Sequence, residues 1–176
     1  MRNDFVKKLV TAGLMLALCM VLPFLTGQVP QVGSMLLPMH LPVLLCGYLC
    51  GAPWAAAVGA VAPLLRFVLF GMPPIFPTGV SMAFELAAYG LVVGLVWPRV
   101  RSNGVRGVYM ALLPAMVAGR LVWGAVQFVL LGLGGTGFTL QMFLAGAVLN
   151  AVPGIVLQLV LVPLLVSVLQ KARVTA

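Results

Sequence analysis

The chain has 176 residues, of which 63% are hydrophobic and 7% charged, and its formal net charge is +8. A soluble domain of this length needs far more polar surface, so the composition excludes a soluble fold and predicts a domain dissolved in lipid. Since a spanning helix takes roughly 20 apolar residues, six spans leave no room for a separate soluble catalytic domain.

Apolar runs separated by proline- and glycine-rich segments predict an all-α membrane protein of six transmembrane helices, forming a single domain over 1–176. A β-barrel is excluded, because barrel strands alternate apolar and polar residues over about ten positions, and these runs do not alternate. Pro153 and Pro163 predict a kink or break in the last helix. The helices are expected at about 5–26, 37–50, 54–70, 78–97, 108–133 and 139–169.

The lysines and arginines predict the orientation of the chain. Eight of the ten flank the expected helices on one side, and the loops 27–36, 71–77 and 134–138 on the other side contain none. By the positive-inside rule, both termini lie in the cytoplasm. The basic surplus is therefore a topology signal, and no nucleic-acid partner is needed to explain it. The eight residues are Arg2, Lys7, Lys8, Arg99, Arg101, Arg106, Lys171 and Arg173.

Three charged residues, Arg66, Glu85 and Arg120, fall inside expected spans. Ionisable groups there are costly unless paired or hydrated, so each is a candidate for a functional site. Gln127 follows Arg120 by two helical turns on the same face, and His40 opens the second helix on the outer side. These positions converge on the outer half of the bundle and predict a solute pocket open to the outside.

Structural alternatives stay open for each of these residues. Glu85 and an arginine could form an ion pair that only locks two helices. His40 could bond a loop carbonyl, and Gln127 and Asn150 could join helices. Trp123, one turn from Arg120, could line the pocket. Met39 could be packing or an adaptable pocket wall.

The sequence lacks the motifs of an enzyme. It has no phosphate loop, no HExxH and no GxSxG, and its only acidic residues are Asp4 and Glu85. Neither a catalytic site nor a cofactor is expected. Cys19, Cys46 and Cys50 lie in apolar runs without metal-ligand spacing, so no metal site is expected either. Any energy for uphill transport is expected to come from partner proteins.

Three stretches, 35–43, 47–66 and 76–90, resemble the substrate-binding S components of energy-coupling factor (ECF) vitamin transporters, and the similarity extends over essentially the whole chain. The resemblance implies a subunit of an ABC importer in the bacterial plasma membrane. Such a subunit captures a vitamin in an outer pocket. Tyr89, in the third stretch, is a candidate for a residue that lines this pocket. The subunit works with a transmembrane coupling protein and two cytoplasmic ATPases, and is thought to topple in the membrane to release the vitamin.

The resemblance also implies a docking surface on the first helix. In the family, a motif of small residues there contacts the coupling protein, and Gly13 and Ala17, with Ala12 beside them, match it in character. Small residues four positions apart allow another helix to approach closely. Packing inside this chain is the alternative use of the same residues.

Two arginines and one glutamate inside the spans leave one surplus positive charge, which favours a carboxylate-bearing solute. Similar sequences suggest pantothenate first, and other B-type vitamins or their precursors next. Two other functions stay open: a self-sufficient oligomeric carrier or channel for a small polar solute, and a structural subunit without a ligand.

Overall fold

A computed structural model describes residues 2–26, 35–133 and 139–172, and the regular elements within these ranges are all helices. The outer loop 27–34, the glycine-rich loop 134–138 and Arg173 lie outside the described residues. Short helical turns cover Leu22–Thr26, Arg101–Asn103 and Ala145–Leu149, whereas the segment Ile75–Gly79 contains the extended residue Phe76 and leads into the helix that begins at Val80. The longer helices are α1 (Arg2–Val21), α2 (His40–Cys50), α3 (Ala52–Phe70), α4 (Val80–Val100), α5 (Val105–Leu133), α6 (Leu140–Leu144) and α7 (Val152–Lys171).

The distribution of side chains is the reverse of that in a soluble protein. Large apolar residues such as Val68, Phe84 and Leu121 point outwards along the helices, more than half exposed. The buried polar or charged side chains among the described residues are His40, Arg66, Ser81, Glu85, Gln127 and Gln158. An apolar exterior around a polar interior is stable only where the solvent is hydrocarbon.

Five helical segments are long and apolar enough to cross a membrane, and the helix α2 is not one of them. Its 11 residues reach about 16 Å at 1.5 Å per residue, whereas the hydrocarbon core is about 30 Å thick. The sequence analysis counts this segment as one of six spans, and that count therefore stays a prediction.

The helix α2 lies inside the bundle, antiparallel to α1. At its start, the Met39 carbonyl accepts a weak bond from the Cys19 thiol at 3.6 Å, and at its end the Cys50 thiol donates to the Lys8 carbonyl at 3.7 Å. Every residue of α2 except Leu41 is buried. The helix α2 is thus the central helix of the bundle, and other helices pack around it.

The break expected in the last helix is present. The run divides into α6 and α7 around the turn Ala145–Leu149, and Pro153 occupies the first turn of α7. Proline is favoured there because its missing N–H has no helical partner at that position anyway. Pro163 lies within an unbroken part of α7.

Glycines bring α3 and α4 into direct backbone contact. A Cβ added to Gly90 would lie 2.6 Å from the carbonyl group of Ala55, and one added to Gly59 would lie 2.5 Å from the backbone of Leu86. Gly94, one turn after Gly90, fits against Ala52 in the same way. Gly90 and Gly94 form a small-xxx-small pair, the pattern that permits close helix packing in membranes.

Replacing Gly90 with alanine should therefore destabilise the fold, because the new methyl group meets backbone that cannot rotate away. We expect a loss of about 1–3 kcal/mol, the usual range for overpacking, measured by thermal unfolding of the detergent-purified protein. The control is Gly132→Ala, where a Cβ meets nothing within 4 Å. Equal melting temperatures for the two variants would contradict this packing.

Candidate functional site around Glu85

The centre of the site is Glu85, a residue that is 1% exposed and lies in the first half of α4. Its Oε1 accepts from Nη1 of Arg120 at 2.8 Å and from Nε2 of His40 at 3.2 Å. One oxygen thus joins α2, α4 and α5. A carboxylate can only accept hydrogen bonds, so His40 donates from Nε2, and its Nδ1 has no partner among the described residues.

Tyr89 completes the cluster one turn after Glu85. Its ring meets the His40 ring edge-to-face, with centroids 5.0 Å apart and planes at 89°. A Cβ at Gly119 would overlap the Tyr89 ring, so the glycine before Arg120 makes space for the aromatic side chain. The Tyr89 hydroxyl is buried within reach of the Arg120 guanidinium and close to the Glu85 carboxylate, but it makes no hydrogen bond of normal geometry within the described ranges.

The guanidinium of Arg120 has an unused edge. Nη1 bonds to Glu85, whereas Nε and Nη2 are buried and have no hydrogen-bond partner in the part of the chain that the structure describes. These two N–H groups point side by side and form the fork that binds a carboxylate through two parallel hydrogen bonds. Leaving such donors unpaired in an interior is unfavourable.

Gln127 lies on the same helix as Arg120 and bonds to a second polar residue of α4. Its Nε2 donates to the Ser81 hydroxyl at 3.1 Å, and the Ser81 hydroxyl in turn approaches the carbonyls of Pro77 and Thr78. The interhelical role that the sequence left open for Gln127 is therefore present. Its Oε1 stays buried without a partner among the described residues.

Arg66 lies apart from this cluster. Its Nη1 donates to the Met20 carbonyl at 2.7 Å, near the end of α1. The guanidinium also sits 5.2 Å from the ring centres of both Phe24 and Phe70, a cation–π arrangement that offsets its burial. Glu85 thus pairs with Arg120 and not with Arg66, and the Arg66 contacts secure the end of α1 to α3.

The remaining candidates from the sequence lie in other surroundings. Trp123 packs beside Phe143, with ring centroids 6.3 Å apart, and holds α5 to α6. Asn150 is exposed in the turn before α7. Met39 is buried in the apolar core.

The expected docking residues separate into two groups. Gly13 and Ala17 are exposed on the outside of α1, and a Cβ at Gly13 would meet nothing within 4 Å. Packing within the described part of the chain therefore does not require this glycine. Ala12 instead points inwards and is 5% exposed.

Two buried polar residues escaped the sequence analysis, Ser81 and Gln158. Each is a polar side chain inside an apolar run, which is the signal that singled out Gln127. The pair Gly90 and Gly94 was missed as well, although its spacing is the one noted for Gly13 and Ala17.

An apolar helical exterior around a buried charged cluster defines a multi-pass membrane protein. Residues 7–166 match the family described as the ECF transporter, substrate-specific component. The chain belongs to that family, so it is a transport subunit, and family membership implies partnering with coupling and ATPase components. Neither the curated proteins nor the solved structures contain a match to the chain.

The Glu85–Arg120 pair should behave as one unit in stability measurements. Arg120→Met leaves a buried carboxylate without its cation, so we expect a loss of about 3–5 kcal/mol. Adding Glu85→Gln to that variant removes the unpaired charge and should restore part of the loss. Thermal unfolding of the wild type, both single variants and the double variant gives the interaction energy of the pair by a double-mutant cycle. Strictly additive losses would contradict a direct pair.

Proposed function

We propose that this protein captures a water-soluble vitamin in a pocket on the outer half of the bundle and delivers it through an ECF-type ABC importer of the bacterial cell membrane. Pantothenate is the first choice of solute, with other B-type vitamins or their precursors next. The observation that carries the proposal is the buried Nε–Nη2 edge of Arg120 beside Glu85, which has no hydrogen-bond partner among the residues that the structure describes.

This edge supports a carboxylate-bearing solute by its hydrogen-bonding geometry. The surplus positive charge of the spans does not lie in this cluster, because Arg66 is bonded elsewhere and Glu85 balances Arg120. A guanidinium can serve two carboxylates through different edges, and the Tyr89 hydroxyl adds a further donor beside it. The proposed pocket is thus centred on Arg120, with Glu85 and His40 fixing its orientation.

The proposed orientation rests on the charges together with the helix contacts. Lys8 lies beside the end of α2, and Phe5 packs on Trp54 at the start of α3, with ring centroids 5.4 Å apart. His40 stands at the other end of α2, about 15 Å away along the helix. With both termini in the cytoplasm, this distance puts the Glu85 cluster about half-way across a hydrocarbon core of about 30 Å, and the proposed pocket extends from there towards the outer side.

The proposed docking surface for the coupling protein is the exposed face of Gly13 and Ala17 on α1. Because Gly13 has no side chain and Ala17 only a methyl group, a partner helix can approach this face closely, and the contact energy is gained only when a partner is present. Ala12 is buried, and so it supports the helix from inside and does not belong to the contact.

Uptake into vesicles tests the proposed function. The chain alone should give no concentrative uptake, and adding the coupling protein and two ATPases should give ATP-dependent uptake.

Co-purification tests the docking surface. Gly13→Trp should abolish co-purification with these partners while leaving solute binding intact, because the bulky ring occupies the proposed docking surface. Val160→Trp is the matched control, since Val160 is 60% exposed on α7.

Concentrative uptake by the chain alone, abolished by Glu85→Gln, would overturn this function in favour of a self-sufficient carrier. Normal assembly of Gly13→Trp with its partners would remove α1 as the docking surface.

Solute recognition is tested by calorimetry on the purified protein. Pantothenate should bind more tightly than panthenol, in which an alcohol replaces the carboxylate. Arg120→Gln should weaken pantothenate by about 10–100-fold, because a hydrogen bond to a charged group contributes about 1.5–3 kcal/mol. Panthenol binding should change much less. If only neutral or cationic vitamins bind, the carboxylate assignment is wrong.

A further inference from the structure

The charges of the Glu85 cluster balance while no solute is bound. The chain has two acidic residues in all, Asp4 and Glu85, and a single histidine, His40. One oxygen of the Glu85 carboxylate bonds to both Arg120 and His40. One negative and one positive charge therefore cancel when the His40 imidazole is neutral, and a neutral cluster is the favourable state in an interior surrounded by hydrocarbon.

A carboxylate solute disturbs this balance. The proposed function, on which this inference rests, brings a second carboxylate to Arg120, so that two negative charges share one guanidinium. A net charge buried in an apolar interior is strongly unfavourable. The loaded cluster therefore needs one further positive charge, which comes either from a titratable group in contact with it or from a cation that enters with the solute.

His40 is placed to supply that charge. Imidazole is the side chain that ordinarily changes its charge between about pH 5 and 8. The Nε2 of His40 already donates to Glu85, and its buried Nδ1 has no hydrogen-bond partner among the described residues. This nitrogen can thus take a proton without breaking a bond that the structure shows. The imidazolium then forms a second ion pair with Glu85, and the loaded cluster is neutral again.

The other ionisable groups on the helices around His40 do not supply the charge in this way. The thiol and the phenol can only become negative, and the guanidinium groups are positive already. The Glu85 carboxylate could take the proton itself, but the two donors on its Oε1 favour the ionised form. The helix α7 has no ionisable side chain before Lys171, its last residue. The groups considered are Glu85 and Tyr89 on α4, Arg120 on α5, Cys19 on α1 and Arg66 on α3.

We propose that His40 binds one proton when a carboxylate solute binds beside Arg120, so that solute and proton are captured together. By linkage, a complex that holds more protons than the free protein is favoured as the pH falls. The affinity for the solute therefore decreases as the pH rises, by at most about tenfold per pH unit for one proton. A neutral solute brings no charge and shows no such dependence.

The first test uses the single histidine as its own reporter. In the purified full chain labelled with ¹⁵N-histidine, the NMR shifts of the two ring nitrogens distinguish imidazole from imidazolium. At about pH 7, near the ordinary range of imidazole titration, the ring should be mainly neutral in the free protein and with panthenol. It should gain a proton on Nδ1 when pantothenate binds.

The second test counts protons by calorimetry in buffers of different ionisation enthalpy. Pantothenate binding to the wild type should take up about one proton, and panthenol binding none. His40→Gln keeps a donor for Glu85 but cannot take a proton, so its affinity for pantothenate should not change with pH and should equal the weak value of the wild type at high pH. Cys19→Ala removes a neighbouring thiol and is the control, which should keep the pH dependence of the wild type.

Pantothenate binding with a neutral His40 and no proton uptake would overturn the proposal. If that binding depended on Na⁺ or K⁺, the missing charge would come from the cation. Proton uptake that persists in His40→Gln would overturn it in favour of Glu85. The NMR comparison needs no variant, so it stands even if His40→Gln folds poorly. If no carboxylate vitamin binds at all, the proposed function fails and this inference fails with it, whereas binding without a proton removes this inference alone.

Discussion

Burial of charge in a hydrocarbon solvent is the constraint on which this structure depends. Glu85 cannot reach water from the interior of α4, so its carboxylate must find its partners within the bundle. It does so through Arg120 at 2.8 Å and His40 at 3.2 Å. Because these residues come from three helices, satisfying one carboxylate fixes the relative positions of α2, α4 and α5.

Close packing makes this arrangement possible. The hydrophobic effect does not drive helices together in lipid, so contact depends on small residues that let backbones approach. Gly90 and Gly94 seat α4 on α3, and Gly119 admits the Tyr89 ring beside the ion pair. The glycines and the charges therefore serve one purpose, since the ion pair needs a helix spacing that larger residues would prevent.

The polar cluster has more hydrogen-bonding capacity than the protein itself uses. Arg120, Tyr89, His40 and Gln127 all keep buried polar atoms without partners in the described part of the chain. A purely structural ion pair would be better served by a cluster in which every donor and acceptor is matched. Unmatched donors next to a fixed carboxylate suit a site that awaits a solute, which agrees with membership of a family of substrate-specific components.

The sequence alone determined that the protein lies in lipid, that it is helical and which family it belongs to. It also singled out most of the polar residues of the candidate site. Hydrophobic composition and run length depend only on local chemistry, and a charged residue inside an apolar run stands out without any knowledge of the fold. The break near Pro153 follows in the same way from the covalent structure of proline.

Only the tertiary structure decided which of these residues meet. Arg66 and Arg120 look alike in the sequence, but one lies between Phe24 and Phe70 at the end of α1 and the other on Glu85. Neither the separation of Ala12 from Gly13 nor the burial of Gln158 could be predicted from the sequence. Each depends on how helices distant in sequence pack together, and hydropathy and spacing along one chain carry no information about that packing.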